Sequence, residues 1–161
     1  CRTFLIANTF NFKRKIKMDN LRYKGQVMWA QVDANMHLRH SAYADFGAHA
    51  RLVLMESMGF NARLMKQLHL GPILFREETI YRKEIQPNEN IEVSSLLSKC
   101  RKDGSRWSIK HEIFKENGEI AAIINVDGAW MNVVLRKLDC LPPEYAEIFL
   151  TMPKTEDFVL E

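Results

Sequence analysis

Residues 41–60 read SAYADFGAHARLVLMESMGF, and the reading of this stretch decides the fold. Tyr43, Phe46, Gly47, Ala50, Val53, Leu54 and Met58 recur at helical spacing, which lays them along one stripe of a helix. Ser41 is a candidate N-cap, Asp45 suits the positive end of the helix dipole, and Gly59 before Phe60 is a stop signal. The pattern predicts a helix over 41–58. Ala42, Ala44, Gly47, Ala48 and Ala50 keep several of its sides small, so other backbone can come close, and a sheet curving around this helix is expected.

The flanking sequence supplies that sheet. ILFREETIYRKEI (73–85), NIEVSSLLSKCRK (90–102), RWSIKHEIFKE (106–116) and EIAAIINVDGAWMNVVL (119–135) read as strands of a meander. They are separated by Pro87-Asn88, Asp103-Gly104 and Asn117-Gly118, the last two being hairpin dipeptides. Trp107, Ile109, His111 and Ile113 alternate with Ser108, Lys110, Glu112 and Phe114, which fixes an inward face; Gly128 predicts a bulge or bend. Upstream, YKGQVMWAQV (23–32) reads as a first strand. NARLMKQL (61–68) reads as a short helix ended by Gly71-Pro72, and LPPEYAEIFL predicts a Pro-started helix over 142–151. Five strands with one long helix after the first give an α+β fold with a mostly antiparallel sheet. One helix cannot cover such a sheet and its edges, so self-association is expected.

The chain has 161 residues, 47% of them hydrophobic, enough for one well-packed core. Its formal charge of +3 comes from 23 basic and 20 acidic residues. Arg2, Lys13, Arg14, Lys15 and Lys17 fall in residues 1–17, which hold no acid; removing those five leaves 18 basic against 20 acidic residues, a net of −2. The body is therefore no nucleic-acid surface on charge grounds. The first Met is Met18, and residues 1–17 are expected to be a basic arm upstream of a single domain over 18–161 with a C-terminal helical extension. The other reading of the arm is an amphipathic segment that touches a membrane or transit machinery, although FLIANTF is too short and polar for a span. Cys1, Cys100 and Cys140 lie far apart without ligand spacing, which argues against a disulfide framework or a zinc site and makes the cytoplasm the default.

The polar run QVDANMHLRHSAY (31–43) sits ahead of the long helix. In an extended chain Asp33, Asn35 and His37 would point the same way, beside the free N–H groups of a helix start. A carboxylate, an amide, an imidazole and an anion-stabilising helix end are ingredients for attack on an ester or thioester. The competing reading is a polar turn, since Asp and Asn favour turns and a histidine near a helix start is often an ordinary hydrogen-bonded residue.

The run VDANMHLRHSAYADFGAHAR…MESMGF, followed by IYRKEIQPNENIEVSSLL, RWSIKHEIFKENGEIAA and LPPE, resembles the hotdog-fold acyl thioesterases over roughly residues 21–145. The likeness is to the 4-hydroxybenzoyl-CoA thioesterase-like family and its acyl-ACP thioesterase relatives. Its most specific part is D-x-N-x-H followed by Tyr43, Arg51 and Met58-Gly59-Phe60. The resemblance implies a hotdog fold, an antiparallel sheet of about five strands wrapped around one long helix, acting as a homodimer or dimer of dimers. It implies hydrolysis of an acyl-CoA or acyl-ACP thioester to a free acid and a thiol. Asp33 then matches the catalytic carboxylate, as general base or nucleophile, with Asn35 and His37 beside it. No metal or cofactor is implied beyond the pantetheine of the substrate. Met36 stands where many members have Gly, and Arg39-His40 where Asn-Asn is common.

Arg39, His40 and Tyr43 at the helix start are candidate substrate-binding residues. Arg82, Arg101, Lys102 and Arg106 near strand ends join them, because basic residues at such places in relatives meet the phosphates of coenzyme A; a solvated basic hairpin is the alternative. Asp45 reads as a dipole partner, Glu56 as surface and His111 as a satisfied core histidine or subunit contact. Met55, Met58 and Met65 read as core or acyl-pocket lining. Two further functions stay open: an acyl-CoA or acyl-carrier binding protein without catalysis, and a hotdog hydratase or dehydratase.

Overall fold

A computed structural model describes residues 21–161, and the expected separation of the 1–17 arm lies outside the described residues. The chain runs β1 (Tyr23–Gln26), a 3-10 turn (Trp29–Gln31), α1 (His40–Ser57), α2 (Ala62–Leu68), β2 (Leu70–Tyr81), β3 (Asn90–Cys100), β4 (Arg106–Lys115), β5 (Ile120–Asn132), β6 (Lys137–Asp139), α3 (Pro143–Phe149) and β7 (Lys154–Leu160). The main sheet has the order β1-β3-β4-β5-β2, with β6 added to β5 and β7 lying parallel to β3. The α+β reading holds, and two short strands join the expected five.

The long helix is the centre of the fold. Ala42, Tyr43, Phe46, Gly47, Ala50, Leu54 and Met55 are its buried residues, and each large apolar side chain among them contributes about 1.5–3 kcal/mol by leaving water. The small residues do allow close approach: a Cβ at Gly47 would lie 3.0 Å from Ile124 and 3.4 Å from the His111 ring. Across the sheet interior Ile91, Val93, Leu97, Ile109, Ile113, Ile124 and Val126 complete the core. At one end Phe60, Trp107, Trp130 and Phe149 of α3 close it, with Trp130 and Phe149 ring centroids 5.6 Å apart.

Four local expectations need correction. Residues 23–32 are not one strand: β1 stops at Gln26, because Gln31 Oε1 accepts from the Met28 N–H and folds the chain into the 3-10 turn, leaving Trp29 72% exposed. Ser41 is not the N-cap: Leu38 and Arg39 are held extended by bonds to Ile85 O and Gln31 O, so the helix starts at His40 with Arg39 in the cap position. Gly71-Pro72 do not end α2; His69 does, in the left-handed region at φ 54°, and Gly71 and Pro72 belong to β2. Pro72 is tolerated there because β2 pairs on one side only among the described residues. The slip near Gly128 lies on the facing strand, where Phe75 is the extra residue between Leu74 and Arg76. Gly128 itself stays in register, and a Cβ there would come within 2.4 Å of the Trp107 ring and 2.6 Å of Ile73 O.

Candidate active site

The sheet end opposite the aromatic plug carries the polar run. Val32 and Leu38 form an isolated antiparallel bridge, and the residues between them make a tight turn. Asp33 N–H donates to His37 O (2.9 Å) and Met36 N–H to Asp33 O (3.1 Å). Asp33 Oδ1 accepts from the backbone N–H of Asn35 (2.8 Å) and of His37 (3.3 Å). The extended geometry expected for Asp33, Asn35 and His37 is therefore absent: the Asp33 side chain captures the backbone and bends it. Leu38 N–H, bonded to Ile85 O at 2.8 Å, ties the turn to the segment after β2.

This turn resolves the feature of Met36. It has φ 61°, the left-handed region in which a side chain costs roughly 1 kcal/mol or more and which Gly adopts freely. Its side chain is 47% exposed and packs little. Met36→Gly is accordingly expected to raise unfolding free energy by about 0.5–1 kcal/mol, measured by urea denaturation; a loss of stability would show that the Met36 side chain holds the turn.

The turn places Asp33 and His37 in an open cleft of about 580 Å³, together with Leu38, His40, Tyr43, Tyr81, Arg82, Lys83 and Glu84. One carboxylate oxygen of Asp33 is fixed by the turn, and Oδ2 makes no hydrogen bond among the described residues. The start of α1 borders the same cleft, and its N-cap provides no side-chain acceptor for the first N–H groups. Tyr81 Oη donates to His40 O at 3.2 Å and its ring meets Tyr43 edge to face at 5.1 Å. Burial, then the neighbouring Tyr81, Asp33, Glu84 and Glu89, push the Tyr43 phenol up to about 12, so it is a neutral hydroxyl at neutral pH.

Of the candidate site residues, Asp33, His37, His40, Tyr43 and Arg82 thus share one cleft. Asn35 is exposed and does not line it. Arg39 turns away, donating from Nη1 to Ala30 O at 2.8 Å. Arg101, Lys102 and Arg106 stand at the β3–β4 connection, at the opposite end of the sheet; at ~3.3 Å per residue this is about 20 Å or more from the cleft within one chain. Glu56 is exposed, as read from the sequence; Asp45 is exposed too, but α1 starts at His40 and its first turn holds no acid, so Asp45 stands beyond the reach expected of a dipole partner.

Sequence reading missed Tyr81 and Glu84, which flank Arg82-Lys83 where β2 ends; a strand-end aromatic next to two cations was the available signal. It also missed a pairing across the core. His111 is fully buried, with Nδ1 2.9 Å from Ser95 Oγ and 3.2 Å from Ser94 O, while Arg51 Nη1 lies 3.0 Å from Nε2. A guanidinium only donates, so Nε2 is the acceptor and the ring proton sits on Nδ1. Burial, then the Arg51 charge, lowers the imidazole to about 3, with the Ser94 carbonyl opposing them, which keeps His111 neutral.

Residues 27–149 match the family described as the Thioesterase-like superfamily. The chain belongs to this superfamily. Its hotdog architecture is shared with the DHNA-CoA thioesterase from Staphylococcus aureus, at TM-score 0.74 and 23% identity over 80% of this chain and 87% of that one. A second Staphylococcus aureus protein, solved in complex with CoA, aligns at TM-score 0.74 and 18% identity over 83% and 86% of the two chains. A 1,4-dihydroxy-2-naphthoyl-CoA thioesterase from Synechocystis aligns at TM-score 0.71 and 14% identity over 81% and 95%. At these identities the likeness to solved structures is one of fold. No curated protein sequence matches this thioesterase-like chain. Among the described residues of this superfamily member, no helix is long and apolar enough to cross a membrane.

Proposed function

We propose that the protein hydrolyses an acyl-CoA thioester to a carboxylic acid and coenzyme A, with Asp33 as general base. The observation that carries this reading is the divided carboxylate of Asp33: Oδ1 is held by two backbone N–H groups, and Oδ2 is left for a water in the cleft. Water adds its oxygen to the thioester carbonyl carbon as its proton passes to Asp33. The N–H groups at the uncapped start of α1 stabilise the oxyanion. Collapse of the tetrahedral adduct breaks the C–S bond, and the thiolate takes up a proton delivered through His37. Tyr43, a neutral donor beside Asp33, orients water or substrate. This route needs no metal or resident cofactor, because the base acts on water directly. The family match over residues 27–149 and the CoA thioesterases among similar structures support it.

Free-thiol release from a panel of alkyl and aryl acyl-CoAs, with acyl carrier protein thioesters beside them, is the direct test. Turnover of at least one acyl-CoA is expected. Saturable binding of acyl-CoA without thiol release would replace hydrolysis by a carrier role, and selective cleavage of carrier-protein thioesters would move the substrate class.

The same reading includes a homodimer. Among the described residues the twelve residues of β2 have one edge unpaired, and Leu74, Phe75, Ile80 and Tyr81 on it and Leu52 and Val53 of α1 are exposed. Such an edge favours pairing with a second copy. Light scattering of the purified chain is expected to give twice the 18.8 kDa chain mass; a monomer at micromolar concentration would remove this element of the proposal.

A further inference from the structure

The connection between β5 and β6 reads NVVLRKLD (132–139). Hairpin tips ordinarily carry Gly, Asn, Asp or Ser; this one carries Val133, Val134 and Leu135, and Arg136 takes the left-handed position at φ 56°. Val133, Val134, Leu135 and Leu138 are between 46% and 67% exposed. Folding gains nothing by leaving such side chains in water, and a contiguous exposed apolar patch marks an interaction surface.

A fixed frame presents the tip beyond the last sheet pair, Asn132 with Lys137. Asn132 Oδ1 accepts from the N–H of Val134 (3.1 Å) and of Leu135 (3.0 Å). Arg136 N–H donates to Asn132 O (2.9 Å) and Val133 N–H to His69 O (2.8 Å). The backbone donors of residues 133–136 are thus all bonded inside the protein, so the tip can leave water without stranding one of them. Charge then decides what covers it. Residues 133–138 hold Arg136 and Lys137 and no acid, and α2, whose C-cap His69 is bonded to Val133, adds Lys66 in its last turn. None of these three cations is in an ion pair among the described residues. Asp139, the next acid along the chain, is tied to the hairpin stem, accepting from Asn132 Nδ2 and from the Cys140 N–H.

We propose that the β5–β6 tip docks the protein on an anionic lipid surface, with Val133, Val134 and Leu135 entering the acyl boundary and Lys66, Arg136 and Lys137 meeting headgroup phosphates. An apolar tip flanked by unpaired cations matches an interface in which hydrocarbon lies beneath negative charge. A lipid surface also deforms around a projecting turn, whereas a protein partner would have to offer an acidic groove of matching shape. Attachment of this kind is peripheral, since a few apolar side chains fall far short of a span. The inference rests on the hairpin alone and does not require thioester hydrolysis.

The test mixes the full chain, near physiological ionic strength, with sucrose-loaded vesicles of phosphatidylcholine alone or with about one-third phosphatidylglycerol. Sedimentation should show an affinity for the anionic vesicles at least about tenfold above that for the neutral ones, a difference that two cations near the surface supply. Val134→Ser combined with Leu135→Ser, both at exposed positions, should cut the affinity for anionic vesicles at least about tenfold and leave the mass by light scattering unchanged. Leu135→Trp should add an emission component, beyond that of the unmodified chain, that shifts to the blue on anionic vesicles and is quenched by brominated lipid. Three results would each overturn the proposal: no recovery with anionic vesicles, equal recovery with neutral ones, or undiminished capture of the serine variant, which would place binding elsewhere on the chain. So would an unquenched signal from Leu135→Trp, or a lower mass for the serine variant, which would give the tip to a second copy. None of these outcomes bears on thiol release, so the two readings fail separately.

Discussion

Asp33→Asn is expected to lower turnover of acyl-CoA by about 10²-fold or more while leaving the urea midpoint almost unchanged. The substitution isolates chemistry from architecture for a specific reason. The turn uses only Oδ1, as acceptor from the Asn35 and His37 N–H groups, and an asparagine carbonyl oxygen accepts the same two bonds. What the amide cannot do is take a proton from water. Asp33→Ala is the informative partner: it removes base and turn acceptor together, so it should lose activity and also about 1 kcal/mol of stability. Full thiol release by Asp33→Asn would show that the carboxylate is a turn residue only and would remove it from the mechanism.

Stability is expected to fall steeply as pH drops below about 6.5, and His111 is the reason. Its imidazole, ordinarily near 6.5, is lowered to about 3 in the folded protein by burial and by Arg51. Between these values the unfolded chain binds a proton that the folded chain refuses. Unfolding is therefore favoured by acid, and the contribution of this group is complete above the unfolded value. It declines by up to about 1.4 kcal/mol for each pH unit below that value, until the folded protein also takes the proton. Ion-paired carboxylates such as Glu92 and Asp127 add slopes of their own, which a comparison cancels. Urea unfolding at pH 7, 6 and 5 should show one proton's slope less in His111→Gln than in the unmodified protein, whatever the variant's absolute stability. Identical slopes would mean that His111 is protonated in the fold.

What could be read from the sequence was what is local. The long helix came from the spacing of Tyr43, Phe46, Gly47, Ala50 and Leu54, its end from Gly59, which takes φ 94°, and the meander from alternation and hairpin dipeptides. Errors arose where one side chain outbid a pattern: Gln31 diverted an apparently continuous strand, and Asp33 turned an apparently extended motif into a loop. The motif's residue types pointed to the cleft, but its membership followed from the turn, which keeps Asp33 and His37 and leaves Asn35 outside. Tyr81, Arg51 and His111 act through partners tens of residues away, and no spacing rule connects positions 51 and 111. The addition of β7 alongside β3 is likewise nonlocal, since a parallel pairing needs no turn signal between its strands.

The two borders of the sheet are unlike. On the β3 side, the border is shared by the short β1 and the oppositely running β7, and Arg22 and Lys24 set charges against Glu92 along it. On the other side β2 offers one long margin, interrupted by Pro72 and the bulge at Phe75 and unpaired among the described residues. A chain with two equivalent open margins would polymerise end to end. One with a single adhesive margin is saturated after one encounter, so in the homodimer proposed above growth of the sheet would stop at a closed pair, and fibres would be avoided by geometry, without a separate cap.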